Sequence, residues 1–269
     1  MIGAIAGDII GSVYEFRPIK TTDFPLFTEE STYTDDTVLT VATGAVLLDG
    51  GDYASSYRRW GLRYPDMSYG SMFRQWLRSK DLGPYGSYGN GSAMRVVPIG
   101  WAFDTLNEVL REAERSARAT HDHPEGIKGA QVTAGSVFLA RTGAGKDGIR
   151  AFAGSLGYDL DRTLTEIRPG YRFDETCQGS VPESLLAFLE SDDFEGAVRN
   201  AVSLGGDADT MACIAGGIAE AFYGGVPLGI RDQVLRLLTV EMGAMVARFA
   251  ARYGGGHNMN GRPGLEEEQ

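Results

Sequence analysis

Cysteine is scarce in this chain of 269 residues, which has only Cys177 and Cys213. The two do not form a CxxC pair, so the sequence supports neither a zinc ribbon nor a disulfide framework. Each is expected to be a reduced, buried, small side chain. The first residues are apolar but carry Asp8 and Glu15 and no basic region, which is a poor match to a signal peptide. We therefore expect a reducing, cytoplasmic location.

Long hydrophobic runs and runs of basic residues are also missing. No segment approaches the roughly 20 apolar residues that a membrane-spanning helix needs, so we expect no membrane partner. The chain has 25 Lys and Arg residues against 36 Asp and Glu residues, and its formal net charge is -11. Broad nucleic-acid binding is not expected, because it requires a basic face that displaces counterions. An anionic small ligand would need local neutralisation by metal ions or helix N-termini.

Convincing strand patterns are rare, and the best candidates, near 96–99 and 171–173, are short. Helical spacing of apolar residues recurs instead along most of the chain. It predicts helices over 34–48, 105–119, 127–141, 182–190, 209–223 and 230–252. We therefore predict an all-α fold.

Three glycine-rich stretches, 83–91, 143–148 and 154–157, are predicted to be loops. No internal repeat and no linker divides the chain. We predict a single domain over 1–254 that exists as a monomer. Residues 255–269 have no apolar periodicity and are predicted to form a flexible tail.

Two distant segments combine carboxylates with threonine at predicted helix starts: Thr34-Asp35-Asp36 and Asp207-Ala208-Asp209-Thr210. Helix capping alone could explain each segment, since Thr and Asp accept hydrogen bonds from free backbone N–H groups. Adjacent carboxylates, however, repel each other unless a cation lies between them. Finding such a cluster twice, with the oxygen ligands that Mg²⁺ and Mn²⁺ prefer, favours metal binding. If the two helix starts face each other, they could hold two ions roughly 3.5–4 Å apart.

Other polar residues give weaker signals on their own. Gly89, Asn90, Gly91 and Ser92 lie in a glycine-rich loop that could present N–H groups to a phosphate, although such residues also form plain turns. His121 lies in a Thr-His-Asp-His segment, where a hydrogen-bonding role is favoured over a metal site and a simple turn is the alternative. Glu15 follows a short apolar helix and, taken alone, is interpreted as an exposed carboxylate at its end.

These pieces in this order resemble the ADP-ribosylglycohydrolase family, which includes the dinitrogenase-reductase-activating glycohydrolases. The matching segments run from residue 3 to residue 224. They are GAIAGDIIGSVYEF, YTDDT, GNGSAMRVVPIG, THDHPEGIKGA and SLGGDADTMACIAGGIAEAFYG. TDDT and GGDADT with GNGSAMR between them are highly specific together, whereas any one alone would not be. The resemblance implies a compact all-α fold with two divalent metal ions, Mg²⁺ or Mn²⁺.

The resemblance also implies a role for each candidate residue. The six metal-binding residues would be Thr34, Asp35, Asp36, Asp207, Asp209 and Thr210. Glu15 would contact a metal and act in catalysis, and Asp35 and Asp36 would belong to the catalytic group. Gly89, Asn90, Gly91 and Ser92 would lie along a diphosphate, to which His121 would hydrogen-bond.

The implied activity is cleavage of the glycosidic bond between ADP-ribose and a modified protein side chain or another acceptor. Positive charge develops on the sugar ring during such a cleavage. Metal ions could grip the ribose hydroxyls and orient a water molecule. Glu15 would position or deprotonate that water, or protonate the leaving group. Two alternatives stay open: a two-metal phosphoesterase acting on ADP-ribose or a related nucleotide, and a non-catalytic ADP-ribose-binding protein.

Overall fold

The computed structural model describes residues 1–79 and 81–254, and these residues form helices and loops without a β-strand. The helices are α1 (Ile2–Gly11), α2 (Asp35–Asp49), α3 (Tyr53–Arg63), α4 (Ser71–Arg78), α5 (Gly91–Met94), α6 (Val97–Ala102), α7 (Leu106–Ala117), α8 (Pro124–Arg141), α9 (Lys146–Ser155), α10 (Leu164–Ile167), α11 (Cys177–Leu189), α12 (Phe194–Val202), α13 (Ala208–Tyr223), α14 (Leu228–Leu237) and α15 (Val240–Tyr253). The predicted all-α fold is confirmed. In the described ranges, none of these helices has both the length and the apolar character needed to cross a bilayer.

Helix α13 is the centre of the core. All its residues from Ala208 to Ala221 are buried, and α1, α8, α11 and α12 pack around it. A helix can be enclosed in this way when it is rich in small residues, because its neighbours approach the backbone closely. The same enclosure places the acidic start of α13, Asp207 to Thr210, inside the protein.

Helices α1 and α13 pack with their backbones in direct contact. A Cβ atom at Gly7 would lie 1.9 Å from the backbone oxygen of Ala212, and one at Gly11 would lie 2.4 Å from that of Ala208. Gly7 and Gly11 are four residues apart and therefore lie on one face of α1. The contact at Gly11 seats α1 against the first turn of α13, which carries Asp209.

Gly7→Ala should lower the free energy of unfolding by at least ~1–3 kcal/mol, because the added methyl group meets backbone that cannot rotate away. Gly243→Ala in α15 is the matched control, since a Cβ there has no atom within 4 Å. Because alanine has a higher helix propensity than glycine, this control should raise the free energy of unfolding by roughly 0.5–1 kcal/mol. Chemical denaturation of both variants measures these changes. If Gly7→Ala were as stable as the wild type, the backbones of α1 and α13 could not be in direct contact.

Helix α11 begins earlier than predicted. The prediction placed the start at 182, because Pro182 followed by a glutamate is typical of a first turn. The structure places Pro182 inside the helix, which begins at Cys177. Thr176 provides the cap, since its hydroxyl accepts a hydrogen bond from the backbone N–H of Gly179 at 3.1 Å. A threonine cap six residues before Pro182 thus determines the start.

The predicted long helix over 230–252 is wrong, because two helices, α14 and α15, occupy this region. Leu238 adopts an extended backbone conformation that ends α14. Thr239 then caps α15 by accepting a hydrogen bond from the backbone N–H of Met242. The break is a new helix start, which a continuous apolar pattern conceals.

The two short strand candidates are also wrong. Residues 97–102 form α6, in which Pro98 occupies the first turn, and residues 171–173 belong to no strand. The predicted loops at 143–148 and 154–157 are wrong in part, since α9 spans Lys146–Ser155. The predicted tail, 255–269, lies outside the described residues.

Candidate active site

Asp8 holds the start of α2 in place from within α1. It has no exposed surface, and its carboxylate accepts hydrogen bonds from the backbone N–H groups of Thr34 and Thr37, both at 3.0 Å. The hydroxyls of Thr34 and Thr37 donate to the same carboxylate. The first turn of α2, with Asp35 and Asp36, is therefore fixed against α1. In the sequence, the only signal for Asp8 is its place in the GAIAGDIIGSVYEF segment.

The starts of α2 and α13 meet in the interior. The Thr34 hydroxyl oxygen lies 3.4 Å from Asp209 Oδ2, and the Thr210 hydroxyl donates to Asp36 Oδ2 at 3.3 Å. The structure therefore brings together the two segments that the sequence singled out. Capping accounts for only one of them: Thr34 caps α2, whereas the side chain of Asp207 makes no capping hydrogen bond at α13.

Two oxygens at this junction, Asp36 Oδ1 and Asp209 Oδ1, are buried and have no hydrogen-bond partner among the described residues. A buried carboxylate oxygen without a partner is strongly destabilising unless a cation compensates it. Glu15, Asp207 and Asp209 also each offer a carboxylate oxygen, and these atoms lie within 4.8 Å of one another. Such oxygens are the ligands that Mg²⁺ and Mn²⁺ prefer. The residues at the junction thus fit a hard divalent cation.

Glu15 faces this cluster from the segment after α1. It is half-buried and lines the same cavity as Asp35, Asp36, Asp207 and Asp209. Its interpretation as an exposed carboxylate at a helix end is therefore wrong. The reason is that α1 ends at Gly11, and after the turn that follows, the Glu15 carboxylate lies beside those of Asp207 and Asp209.

Burial and mutual repulsion raise the pKa values of the clustered carboxyl groups. Burial, together with the charges of Asp209 and Asp8, raises the pKa of Asp35 to about 8. Burial, followed by the charges of Asp209 and Asp35, raises the pKa of Glu15 to about 9. Burial also raises the pKa of Asp207 to about 6, against the lowering effect of its hydrogen bonds. Bound cations would favour the charged forms and oppose these shifts.

The stability of metal-stripped protein should fall as the pH rises from about 5 to about 8. A carboxyl group with a higher pKa in the folded state stabilises that state fully below its unfolded pKa. That contribution is lost as the pH rises through the folded pKa, which is about 8 for Asp35 and about 9 for Glu15. Mg²⁺ or Mn²⁺ should restore stability, by an increment that grows with pH. Thermal unfolding across this range, with K⁺ at matched ionic strength as the control, measures both effects. Metal-free stability that stays constant or rises with pH would contradict the assignment.

Asn90 joins the glycine-rich loop to the acidic cluster. Its side-chain amide donates to Asp207 Oδ2 at 2.7 Å and to the Ser180 hydroxyl oxygen at 3.1 Å. Its backbone N–H donates to the carbonyl of Glu175 at 2.8 Å. Ser92 is fully buried, and its hydroxyl donates to the carbonyl of Gly126, so this side chain points away from the cavity. Among the four predicted loop residues, Gly89, Asn90 and Gly91 line the cavity.

His121 lies beside this loop and lines the same cavity. A Cβ atom at Gly91 would lie 3.3 Å from its Nε2 atom, so the absence of a side chain there leaves room for the ring. Nδ1 lies 2.7 Å from the Thr120 hydroxyl oxygen. Burial, and then the charge of Arg95, hold the pKa of His121 well below its usual value. The ring is therefore neutral and carries one N–H donor.

The cavity encloses about 210 Å³ and joins the acidic cluster to the glycine-rich loop. Sequence reasoning missed part of its wall, formed by the residues before and at the start of α4, namely Ser68, Gly70, Ser71, Met72 and Phe73. It also missed Arg95, although this residue ends the GNGSAMR segment. The α4 residues carried no comparable signal, because serine and glycine before a helix are common.

Comparison with known proteins places this chain in a family. The family model described as ADP-ribosylglycohydrolase matches residues 1–258. ADP-ribosylhydrolase ARH3 of Mus musculus is 28% identical over 305 residues, which cover 83% of this chain and 82% of that protein. ADP-ribosylarginine hydrolase Tri1 of Pseudomonas putida (strain GB-1) is 26% identical over 263 residues, covering 83% of this chain and 69% of that protein. A solved structure described as an ADP-ribosylglycohydrolase-related protein complex superposes with a TM-score of 0.69 at 27% identity, covering 94% of this chain and 97% of the other. The chain therefore belongs to the ADP-ribosylglycohydrolase family of hydrolases.

Proposed function

We propose that this chain is a metal-dependent ADP-ribosylhydrolase. It would cleave the bond between the anomeric carbon of the ribose in ADP-ribose and an acceptor, such as a modified protein side chain. The observation that carries the proposal is the meeting of Thr34–Asp36 with Asp207–Thr210 beside Glu15 in one cavity. The relatives support the substrate class, since ARH3 is named an ADP-ribosylhydrolase and Tri1 an ADP-ribosylarginine hydrolase.

A binuclear centre of Mg²⁺ or Mn²⁺ would be held from two sides. The ligand set would be Thr34, Asp35, Asp36, Asp207, Asp209 and Thr210. The partnerless oxygens of Asp36 and Asp209 support this assignment. When bound, the ions would supply Lewis-acid stabilisation of ribose oxygens and activation of water. Asp8 orients the first half of the set through its hydrogen bonds to Thr34.

Glu15 would be the group that exchanges a proton during cleavage. Positive charge builds on the ribose as the bond to the leaving group breaks, and nearby carboxylates stabilise that charge. Glu15 offers a carboxylate oxygen within 4.8 Å of oxygens of Asp207 and Asp209, and it lines the cavity together with Asp35. From this position its carboxylate can take a proton from water or return one to the leaving group.

The glycine-rich loop and His121 would position the rest of the substrate. Gly89 and Gly91 have no side chain, so a diphosphate can approach their backbone closely. Asn90 ties this loop to Asp207, which fixes the distance between the diphosphate and the ribose ends of the site. Holding the reacting groups in this way lowers the entropy lost on reaching the transition state.

Product analysis tests the proposal. The purified chain should release free ADP-ribose from an arginine-linked, a serine-linked or a polymeric substrate in the presence of Mg²⁺ or Mn²⁺. Release should stop when a chelator removes the metal. AMP and ribose phosphate would instead identify a phosphoesterase. Binding of ADP-ribose without turnover on any of the three substrates would identify a binding protein.

A further inference from the structure

Arg95 is a fully buried cation without a counter-ion. Its side chain has no exposed surface, and Nε and Nη1 have no hydrogen-bond partner among the described residues. No carboxylate in the described ranges forms an ion pair with it. Burying an unpaired charge is strongly unfavourable, so such a group calls for an opposite charge from elsewhere.

Arg95 lines the cavity, and its charge is opposite to that of the acidic cluster. It is the only Lys or Arg among the described residues that form the cavity wall. The other charged residues of that wall are Glu15, Asp35, Asp36, Glu175, Asp207 and Asp209. Because His121 is neutral, Arg95 supplies the positive charge on the side of the cavity that holds the glycine-rich loop.

Among the described residues, hydrogen bonds engage only one nitrogen of Arg95. Nη2 donates to the carbonyl of Ser116 at 3.1 Å and to the Thr120 hydroxyl oxygen at 2.9 Å. The guanidinium carbon lies 4.1 Å from the centre of the Tyr57 ring, a cation–π contact that holds the group in one plane. The guanidinium is therefore fixed in position with its remaining donors unused.

A hydrogen-bond relay connects Arg95 to His121. The Thr120 oxygen accepts from Arg95, so the Thr120 hydroxyl proton is free to be donated to His121 Nδ1 at 2.7 Å. With Nδ1 as the acceptor of this hydrogen bond, the proton of the neutral imidazole lies on Nε2. Nε2 is the atom that lies close to Gly89 and Gly91. The relay thus directs an N–H donor toward the loop surface.

We propose that Arg95 is a positioning residue for a nucleoside diphosphate: it compensates the diphosphate charge and, through Thr120, fixes His121 as a hydrogen-bond donor. This inference rests on the proposed function, because it takes ADP-ribose as the ligand. Arg95 also lets a chain with a net charge of -11 accept an anion in a cavity whose other charged residues are carboxylates.

Titration with ADP and with adenosine, at fixed saturating Mg²⁺, tests the inference. Arg95→Met should weaken ADP binding roughly 10- to 100-fold, because it removes the charge that compensates the diphosphate and the donor that orients Thr120. Adenosine affinity should stay the same. Arg95→Lys keeps the charge and should retain part of the ADP affinity. Arg141→Met is the matched control, since Arg141 also donates to backbone carbonyls and lies over a ring, Phe138, but does not line the cavity.

Thr120→Val removes the relay and keeps the guanidinium, so it remains informative if Arg95→Met does not fold. Nitrogen NMR should show His121 protonated on Nε2 in the wild type and a mixture of tautomers in Thr120→Val. The inference is overturned if Arg95→Met loses ADP and adenosine affinity equally, or if its ADP affinity is unchanged. It is also overturned if the wild type does not bind ADP more tightly than adenosine. Arg95-dependent ADP binding without any ADP-ribose release would overturn the proposed function alone.

Discussion

Asp209→Asn should abolish metal-dependent release of ADP-ribose and leave the metal-free protein at least as stable as the wild type. Asp209 Oδ1 is buried without a partner, and burial with the charge of Asp207 raises the pKa of Asp209 well above its usual value. An amide removes one of several repelling charges, so the metal-free fold gains stability. The same change removes a metal ligand. The bound metal stabilises the transition state by several kcal/mol, which corresponds to roughly a thousandfold in rate.

Activity and thermal unfolding, each with and without Mn²⁺, measure the two effects on Asp209→Asn. Glu175→Gln is the matched control, because Glu175 is an exposed carboxylate on the same cavity wall and lies outside the acidic cluster. It should keep both activity and the metal-induced rise in Tm. If Asp209→Asn still released ADP-ribose at the wild-type rate with limiting metal, Asp209 would not be a ligand.

Glu15→Gln should lower turnover roughly 10²- to 10⁴-fold, the range for loss of a general acid or base. The amide keeps the shape and the oxygen of Glu15 but cannot exchange a proton. Metal binding should persist, because Thr34–Asp36 and Asp207–Thr210 are unchanged. The predicted signature is a lost turnover together with a retained Mn²⁺-induced rise in Tm.

Turnover of Glu15→Gln at the wild-type rate would remove Glu15 from the chemistry. Loss of the Mn²⁺ response would instead make Glu15 chiefly a ligand, a role compatible with its position within 4.8 Å of the Asp207 and Asp209 oxygens. Measuring both quantities on one preparation therefore separates its proton-transfer role from its role in holding the metal.

The convergence of the two acidic segments was predictable because each carries its own signal. Capping alone could explain either segment, but the repetition of paired carboxylates with threonine at two helix starts implied a common cation. The structure brings them together because α13 is enclosed on all sides, which follows from its small residues. The all-α prediction succeeded for a related reason, since helical apolar spacing dominates the chain.

The parts that sequence could not predict depend on contacts between distant residues. Glu15 is half-buried because of the turn after α1, and no local sequence pattern predicts that turn. Arg95 looks like any arginine in sequence, and only the fold shows that it is buried with no counter-ion in the described part of the chain. The direction of the Ser92 side chain likewise depends on α8, which supplies the carbonyl of Gly126.

The predicted helix boundaries were wrong where a capping residue, rather than the apolar pattern or a proline, determined the start of a helix. Thr176 starts α11 before the proline that seemed to begin it, and Thr239 divides an apolar repeat into two helices. In both cases a single hydroxyl accepts a backbone N–H. Capping contributes on the order of 1 kcal/mol, enough to move a boundary but too local to change the fold.

The central claim is that the starts of α2 and α13 together hold divalent metal. Anomalous diffraction from crystals grown with Mn²⁺ tests it most directly. We expect Mn²⁺ peaks in direct coordination contact with Asp36 and Asp209, at the oxygens that lack a hydrogen-bond partner within residues 1–79 and 81–254. Crystals of an active preparation in which Mn²⁺ binds elsewhere and leaves these carboxylates uncoordinated would contradict it.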